Sequence, residues 1–116
     1  MKWTQPATLL LWATRTLGPS QCKRIRYIDK KERVYGYWDW EGTIHLNKRH
    51  IKSVGSLYRV LAHEWTHAQQ DYRMWKWYQA RYGYQRNPYE LEARRAERDL
   101  WRSDSASKSR RLDGGS

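Results

Sequence analysis

Residues 56–70 read SLYRVLAHEWTHAQQ and contain the pattern His-Glu-x-x-His at His63, Glu64 and His67. Residues four apart on an α-helix lie one turn above each other on the same face, so the two imidazoles can converge on one metal ion. Apolar residues recur in this stretch at the spacing of a buried helical stripe, namely at Leu57, Val60, Leu61 and Ala68. The stretch therefore predicts a partly buried helix that carries a metal site, with Ser53 or Ser56 as its N-cap.

The two histidines and the glutamate between them suit zinc and hydrolysis. Neutral imidazoles bind Zn²⁺ at about 2.0–2.1 Å and fill part of a tetrahedral shell. Glu64 follows His63 directly and is not a ligand in this pattern, so its carboxylate is expected to act as a general base on a metal-bound water. The plainer interpretation is two histidines that only pack on a helix, and it requires the pattern to fall by chance inside a good helix.

A catalytic zinc site needs a third protein ligand, which another part of the chain must supply. Because no histidine follows His67 and Cys22 lies far upstream, the candidates are carboxylates after His67. These are Asp71, Glu90, Glu92, Glu97 and Asp99. Asp71 would put all three donors in a line on one helix face, whereas a second helix facing the first is geometrically better. Residues 87–100, which begin with Asn-Pro, predict such a helix.

The two segments together resemble a known family. His63-Glu64-x-x-His67, followed by Asn87-Pro88-Tyr89-Glu90-x-Glu92-Ala93, is similar to the gluzincin clan of zinc metallopeptidases, to which thermolysin belongs. The closer resemblance is to the minimal, single-domain forms in bacteria and phages, and it covers about residues 43–100. It implies a zincin-like fold, one zinc ion, and hydrolysis of peptide bonds in a protein or peptide substrate.

The clan also implies a choice of third ligand. In that clan the ligand is a glutamate on the helix after the histidines, often with a small residue three positions on. Glu90 with Ala93 matches this pattern, whereas Glu92 would place Arg95 there, so Glu90 is the expected ligand and Glu92 the alternative. Many members have an aspartate four residues after the ligand to support a histidine. This chain has Arg94, and Glu97 or Asp71 are the possible substitutes.

The remaining pattern predicts an α+β fold with about four helices and a small sheet. Helices are expected over 6–17, around the histidines, over 71–82 and over 87–100. Three segments rich in β-branched and aromatic residues predict an antiparallel meander, namely 24–28, 33–39 and 43–47. In zincins a strand just before the histidine helix lies along the cleft. By resemblance, segment 43–47 takes that role and offers its free edge to a substrate peptide.

Three more side chains are candidates for contact with the substrate or the transition state. Tyr82 and Tyr84 flank a turn, and either phenol could donate a hydrogen bond to a developing oxyanion. His45 is expected to be a sheet-surface residue first and a substrate contact second. The aromatic residues of helix 71–82 are expected to pack in the core, with Met74, Trp75 and Tyr78 on one face, although such rings can also stack on bases.

Length and composition bound the other possibilities. The 116 residues predict one domain over 1–102 and a disordered Ser/Arg/Gly-rich tail over 103–116. A net charge of +11 allows nucleic acid as a partner, but the basic residues are spread along the chain, as on any solvated basic surface. The rival function is therefore a basic nucleic-acid-binding or virion-assembly protein with a structural or vestigial zinc site.

The cellular setting is also bounded by sequence. The apolar run in 6–17 is too short and too close to Arg15 for a signal peptide, and no stretch approaches membrane-spanning length. The single Cys22 cannot form an internal disulfide and suits a reducing compartment. We expect a cytoplasmic protein of a bacterium or an infected host cell, which is not secreted and has no membrane partner, with virion association as an alternative. The oligomeric state cannot be read from the sequence.

Overall fold

This computed structural model describes residues 2–114, except for the side chains of Trp101 and of 103–114. Within this range the chain forms four α-helices and a three-stranded sheet. Their order is α1 (Pro6–Leu17), β1 (Arg24–Ile28), β2 (Gly36–Trp38), β3 (Thr43–Asn47), α2 (Val54–Ala68), α3 (Tyr72–Tyr82), a 3₁₀ turn (Tyr84–Arg86) and α4 (Pro88–Gly114). The predicted α+β class is confirmed. Among the described residues, no helix combines the length and the apolarity that crossing a membrane requires.

The sheet is mixed, so the predicted antiparallel meander is wrong. Its order is β1-β3-β2, with β3 in the centre, parallel to β1 and antiparallel to β2. The prediction that β3, residues 43–47, offers a free edge to a substrate is therefore also wrong, because both of its edges are paired. β2 lies at an edge instead, and it is shorter than the predicted strand over 33–39.

The buried side chain of Asn47 explains this topology. Its Oδ1 accepts a hydrogen bond from the backbone N–H of Lys30 at 3.0 Å. Its Nδ2 donates to the carbonyl oxygens of Lys30 and Val34, at 3.0 and 2.9 Å. These bonds hold the connection 29–35 across the end of β3, which lies between β1 and β2. Residue alternation predicts strands but does not specify which strands become neighbours.

The histidine helix α2 packs between the sheet and α4. It begins at Ser53, whose Oγ accepts a hydrogen bond from the N–H of Ser56 at 3.1 Å. The predicted apolar stripe is buried, and Trp65 joins it in the core; the buried stripe consists of Leu57, Val60, Leu61, Trp65 and Ala68. The core on the other side is formed by residues of α1, β1 and β3, which include Leu9, Ala13, Ile25, Ile44 and Leu46. The prediction of a partly internal helix is confirmed.

The last helix, α4, begins as the sequence predicts. Asn87 is buried, its Oδ1 accepts a hydrogen bond from the N–H of Tyr89 at 2.9 Å, and Pro88 occupies the first helical position. The backbone of α4 runs to Gly114 and so enters the segment 103–116, for which the sequence predicts a separate disordered tail. The side chains of that segment lie outside the described part of the structure, and the domain boundary at residue 102 stays a prediction.

Gly36 lets β2 approach α2 closely, and replacing it should be costly. A Cβ at this position would lie 2.7 Å from the carbonyl oxygen of His45 and 3.1 Å from Cγ1 of Val60. Because backbone would have to shift, we expect Gly36→Ala to lower the free energy of unfolding by about 1–3 kcal/mol in urea denaturation. Gly55→Ala is the matched control, since its Cβ meets only the Arg59 guanidinium, at 3.3 Å. That variant should be neutral or more stable by up to about 1 kcal/mol, and equal stability of the two variants would contradict the close approach.

Candidate metal centre

The structure brings His63 and His67 of α2 together with Glu90 in the first turn of α4. Nε2 of His67 lies 3.2 Å from Oε1 of Glu90, and Nε2 of His63 lies 3.6 Å from Oε2. One donor atom from each of the three residues lies within 4.8 Å of the others. Two donors that are each about 2.1 Å from a tetrahedral ion lie roughly 3.4 Å apart, so these spacings suit an ion of the size of zinc.

The carboxylate of Glu90 has one oxygen with a hydrogen bond and one without. Glu90 is only 3% exposed, and its Oε1 accepts a hydrogen bond from Nε1 of Trp75 at 3.4 Å. Its Oε2 has no hydrogen-bond partner among the described residues. It lies 3.6 Å from Nε2 of His63, which is beyond hydrogen-bond distance, and a buried carboxylate oxygen without a hydrogen bond is costly. A cation between this oxygen and the imidazoles would supply the missing interaction, so the donor set fits a metal ion.

Each imidazole is held from its Nδ1 side, which leaves Nε2 for an ion. Nδ1 of His63 lies 3.1 Å from Oε2 of Glu97, and Nδ1 of His67 lies 2.7 Å from Oε1 of Gln70. Gln70 also donates from Nε2 to the carbonyl oxygen of Tyr89 at 3.0 Å, which links the end of α2 to α4. Hydrogen bonds of this kind fix the tautomer and the ring orientation of histidines that bind metals.

Glu97 occupies the supporting position for which the sequence left both Glu97 and Asp71 open. It lies about two helical turns after Glu90 and therefore on the same face of α4. Asp71 instead caps α3, where its side chain accepts a hydrogen bond from a backbone N–H of the first turn. Arg94, at the position where the gluzincin pattern has an aspartate, donates to the carbonyl oxygen of Tyr84 at 3.4 Å.

Glu64 lies beside the three candidate ligands and makes its own contact with the sheet. Its Oε1 accepts a hydrogen bond from the backbone N–H of Trp38 at 3.2 Å. Burial raises the pKa of Glu64 to about 7, although the neighbouring His63 and His67 act to lower it. A carboxylate with a pKa near neutral pH can accept a proton and give it back, which is what general base catalysis requires.

The site opens into a cleft made of two adjoining hollows of about 280 and 250 Å³. Gly36, His63, Glu64 and Tyr84 line both hollows. The larger hollow has an aromatic wall that consists of Tyr37, Trp38, Trp40 and Trp75. The smaller hollow is lined in addition by side chains of mixed character, namely Arg33, Val34, Tyr35, Val60 and Glu97. A substrate in this cleft would therefore pass directly over Glu64.

The other residues named from the sequence lie in different places. Tyr84 lines the cleft, whereas Tyr82 is exposed and does not line either hollow. His45 is turned to Asp39, with its Nε2 3.1 Å from Oδ2, and is likewise outside the cleft lining. Glu92, the alternative ligand, is exposed and lies outside the cluster of candidate ligands.

Three contributions to the site were missed by sequence reasoning. Gln70 had a signal, because it follows His67 by three residues, a spacing at which side chains can meet even though α2 ends at Ala68. Trp75 was assigned to core packing, and its hydrogen bond to Glu90 depends on how α3 meets α4. Trp38 acts through its backbone N–H, which no pattern of side chains marks.

In the metal-free protein the candidate ligands form a cluster of opposite charges. Burial lowers the pKa of His63, but the carboxylates of Glu90 and Glu97 outweigh this effect and raise it to about 10. Burial also opposes protonation of His67, whose pKa is nevertheless raised by Glu90 and Glu64. Burial raises the pKa of Glu90, but the two imidazoles outweigh it and hold that pKa well below its usual range.

Metal binding should therefore release protons. An imidazole must be neutral to bind zinc, and His63 with a pKa of about 10 is protonated at pH 7. We expect release of at least about one proton per zinc ion at pH 7, and a zinc affinity that rises with pH until His63 is neutral. Calorimetry in buffers of different ionisation enthalpy measures this release. Glu97→Gln should lower the pKa of His63 and so lower the pH at which the zinc affinity stops rising, whereas His50→Gln should not. A pH-independent affinity between pH 7 and 9 would contradict the charge assignment.

Comparison with known proteins identifies no relative of this chain. No protein-family model, no curated protein and no solved structure matches it.

Proposed function

We propose that this chain is a zinc-dependent metallopeptidase of the gluzincin type, with a zincin-like fold, that hydrolyses peptide bonds in a protein or peptide substrate. The observation that carries the proposal is the convergence of His63, His67 and Glu90, with Glu64 beside them. Oε2 of Glu90 has no hydrogen-bond partner in the part of the chain that the structure describes. One Zn²⁺ per chain would be held by the Nε2 atoms of the two histidines and by the carboxylate of Glu90.

The donor set favours zinc over calcium and magnesium. Calcium and magnesium prefer oxygen ligands, whereas imidazole nitrogen is a preferred ligand of zinc. Two histidines and one glutamate are also a donor set of catalytic zinc sites, in which three protein ligands leave one position open. When bound, zinc supplies a Lewis acid that polarises a carbonyl group and lowers the pKa of a water towards about 7.

Glu64 would move the protons of the reaction. It takes a proton from the attacking water, and it returns a proton to the nitrogen of the departing amine as the peptide bond breaks. The hydrogen bond from the N–H of Trp38 holds one carboxylate oxygen and leaves the other for the proton. In the metal-free protein burial raises the pKa of Glu64 to about 7, and a bound cation beside it would favour the ionised form that accepts a proton.

The edge strand β2 has backbone groups with which an extended substrate could pair. The N–H of Asp39 donates to the carbonyl of Thr43 at 3.1 Å, and that of Asn47 donates to the carbonyl of Tyr35 at 2.8 Å. By the alternation of an antiparallel pair, the backbone groups of Gly36 and Trp38 point away from β3. The N–H of Trp38 is bonded to Glu64, so an extended peptide would pair with the N–H and the carbonyl of Gly36 and with the carbonyl of Trp38, at the outer edge of β2.

Tyr84 is the candidate for a hydrogen bond to the developing oxyanion. It lines both hollows together with Glu64, and partial burial raises the pKa of its phenol. The phenol therefore keeps its proton at neutral pH and is able to donate it in a hydrogen bond. Tyr82 and His45 have no such place in the cleft.

Replacing Glu64 tests whether the site is catalytic. Glu64→Gln keeps the shape of the side chain but cannot accept a proton, so zinc content and melting temperature should stay the same. Activity on a mixed peptide library should fall by at least about 10²-fold in kcat/KM. Glu92→Gln removes the same charge from an exposed position on α4 and should leave the activity unchanged.

Two results would overturn this role. Loss of zinc in Glu64→Gln would mean that Glu64 is a ligand. If the unaltered protein binds zinc but hydrolyses no peptide in the library, the rival function is favoured, namely a nucleic-acid-binding or virion-assembly protein with a structural or vestigial zinc site.

A further inference from the structure

Helix α3 has one half-buried face and one exposed face. None of its residues is buried, and its inner face is formed by Trp75, Tyr78 and Gln79. Met74, which the sequence placed on the packed face, is 40% exposed. The outer face follows the i, i+3, i+4, i+7, i+8 spacing of a single stripe and consists of Arg73, Lys76, Trp77, Ala80 and Arg81. This stripe is basic and surrounds an exposed tryptophan, whereas a stripe that packs on a core would be apolar.

The exposed rings at the end of α3 are arranged around a cation. Trp77 is 52% exposed and Tyr82 is 43% exposed. The guanidinium carbon of Arg81 lies 5.6 Å from the ring centre of Trp77 and 5.7 Å from that of Tyr82. The two ring centres are 6.3 Å apart. The surface therefore offers flat aromatic faces and positive charge within the same small area.

The charged residues of the segment that carries these rings all have one sign. Residues 72–89 contain Arg73, Lys76, Arg81 and Arg86 but no aspartate or glutamate. The acidic residues on either side are engaged elsewhere, since Asp71 caps α3 and Glu90 faces the two histidines. A partner of this surface must therefore be negatively charged to be complementary.

We propose that the outer face of α3 binds single-stranded nucleic acid. Bases would stack on the exposed faces of Trp77 and Tyr82, while Arg73, Lys76 and Arg81 contact phosphates. A single strand suits this surface better than a duplex, because its bases have free π-faces. A single strand also suits this surface better than a membrane does, since residues 72–89 contain no leucine, isoleucine, valine or phenylalanine to enter a lipid layer. This activity is independent of the proposed peptidase, because Trp77 faces away from the side of α3 that meets Glu90.

Fluorescence anisotropy of the full chain with a labelled oligothymidine of about 20 nucleotides, longer than the usual site of about 4–16 nucleotides, tests the proposal. Trp77→Ala should weaken binding by about fivefold or more, and Trp77→Phe should retain most of the affinity because any aromatic ring can stack. Arg81→Ala should also reduce the slope of log affinity against log salt by about 0.7. Arg15→Ala, which removes one charge from an exposed position on α1, should have a clearly smaller effect.

Four results would overturn the proposal. The first is an equal loss of affinity in Trp77→Ala and Trp77→Phe, and the second is an equal effect of Arg81→Ala and Arg15→Ala. The third is a duplex of the same length that binds as tightly as the single strand. The fourth is a Trp77→Ala protein that binds the oligothymidine normally but no longer binds vesicles containing phosphatidylserine, which would assign the surface to a membrane. Circular dichroism and zinc content should be unchanged in each variant, and Glu64→Gln should bind the oligothymidine like the unaltered protein.

Discussion

The arrangement of the helices depends on the contact between the buried carboxylate of Glu90 and the imidazoles of His63 and His67. A charge can be buried only where partners replace its water, and here they come from two other helices: the histidines from α2 and the indole N–H of Trp75 from α3. α4 is thereby fixed against both. The hydrogen bonds from His63 to Glu97 and from Gln70 to the backbone of Tyr89 hold the same pair of helices on either side of that carboxylate.

The sheet completes the site from the opposite side. With β3 in the centre, β2 becomes the edge that faces α2, and the N–H of Trp38 reaches Glu64. Gly36 makes this approach possible, because a Cβ there would lie 3.1 Å from Cγ1 of Val60 on α2 and 2.7 Å from the carbonyl oxygen of His45 on β3. The strand order and one glycine therefore place a backbone donor on the carboxylate that is proposed to move protons. The outer face of α3 takes no part in this arrangement and is therefore available to bind a different partner.

What the sequence predicts well is local. The spacing of His63 and His67 follows from the helical period, and Asn87 caps α4 through its own side chain, so each can be read from a few neighbouring residues. What it does not predict depends on contacts between distant segments. The strand order depends on the bonds of Asn47 to Lys30 and Val34, and the choice of Glu97 over Asp71 depends on the rotation of α4 against α2.

The zinc content of Glu90→Ala, compared with that of Glu92→Ala, tests the central claim most directly. Both variants remove a carboxylate from the first two turns of α4, but only Glu90 faces the histidines. Elemental analysis of the folded proteins should find about one zinc ion per chain in the unaltered protein and in Glu92→Ala, and a large loss of zinc in Glu90→Ala. Full zinc occupancy in Glu90→Ala, or loss of zinc in Glu92→Ala, would contradict the account.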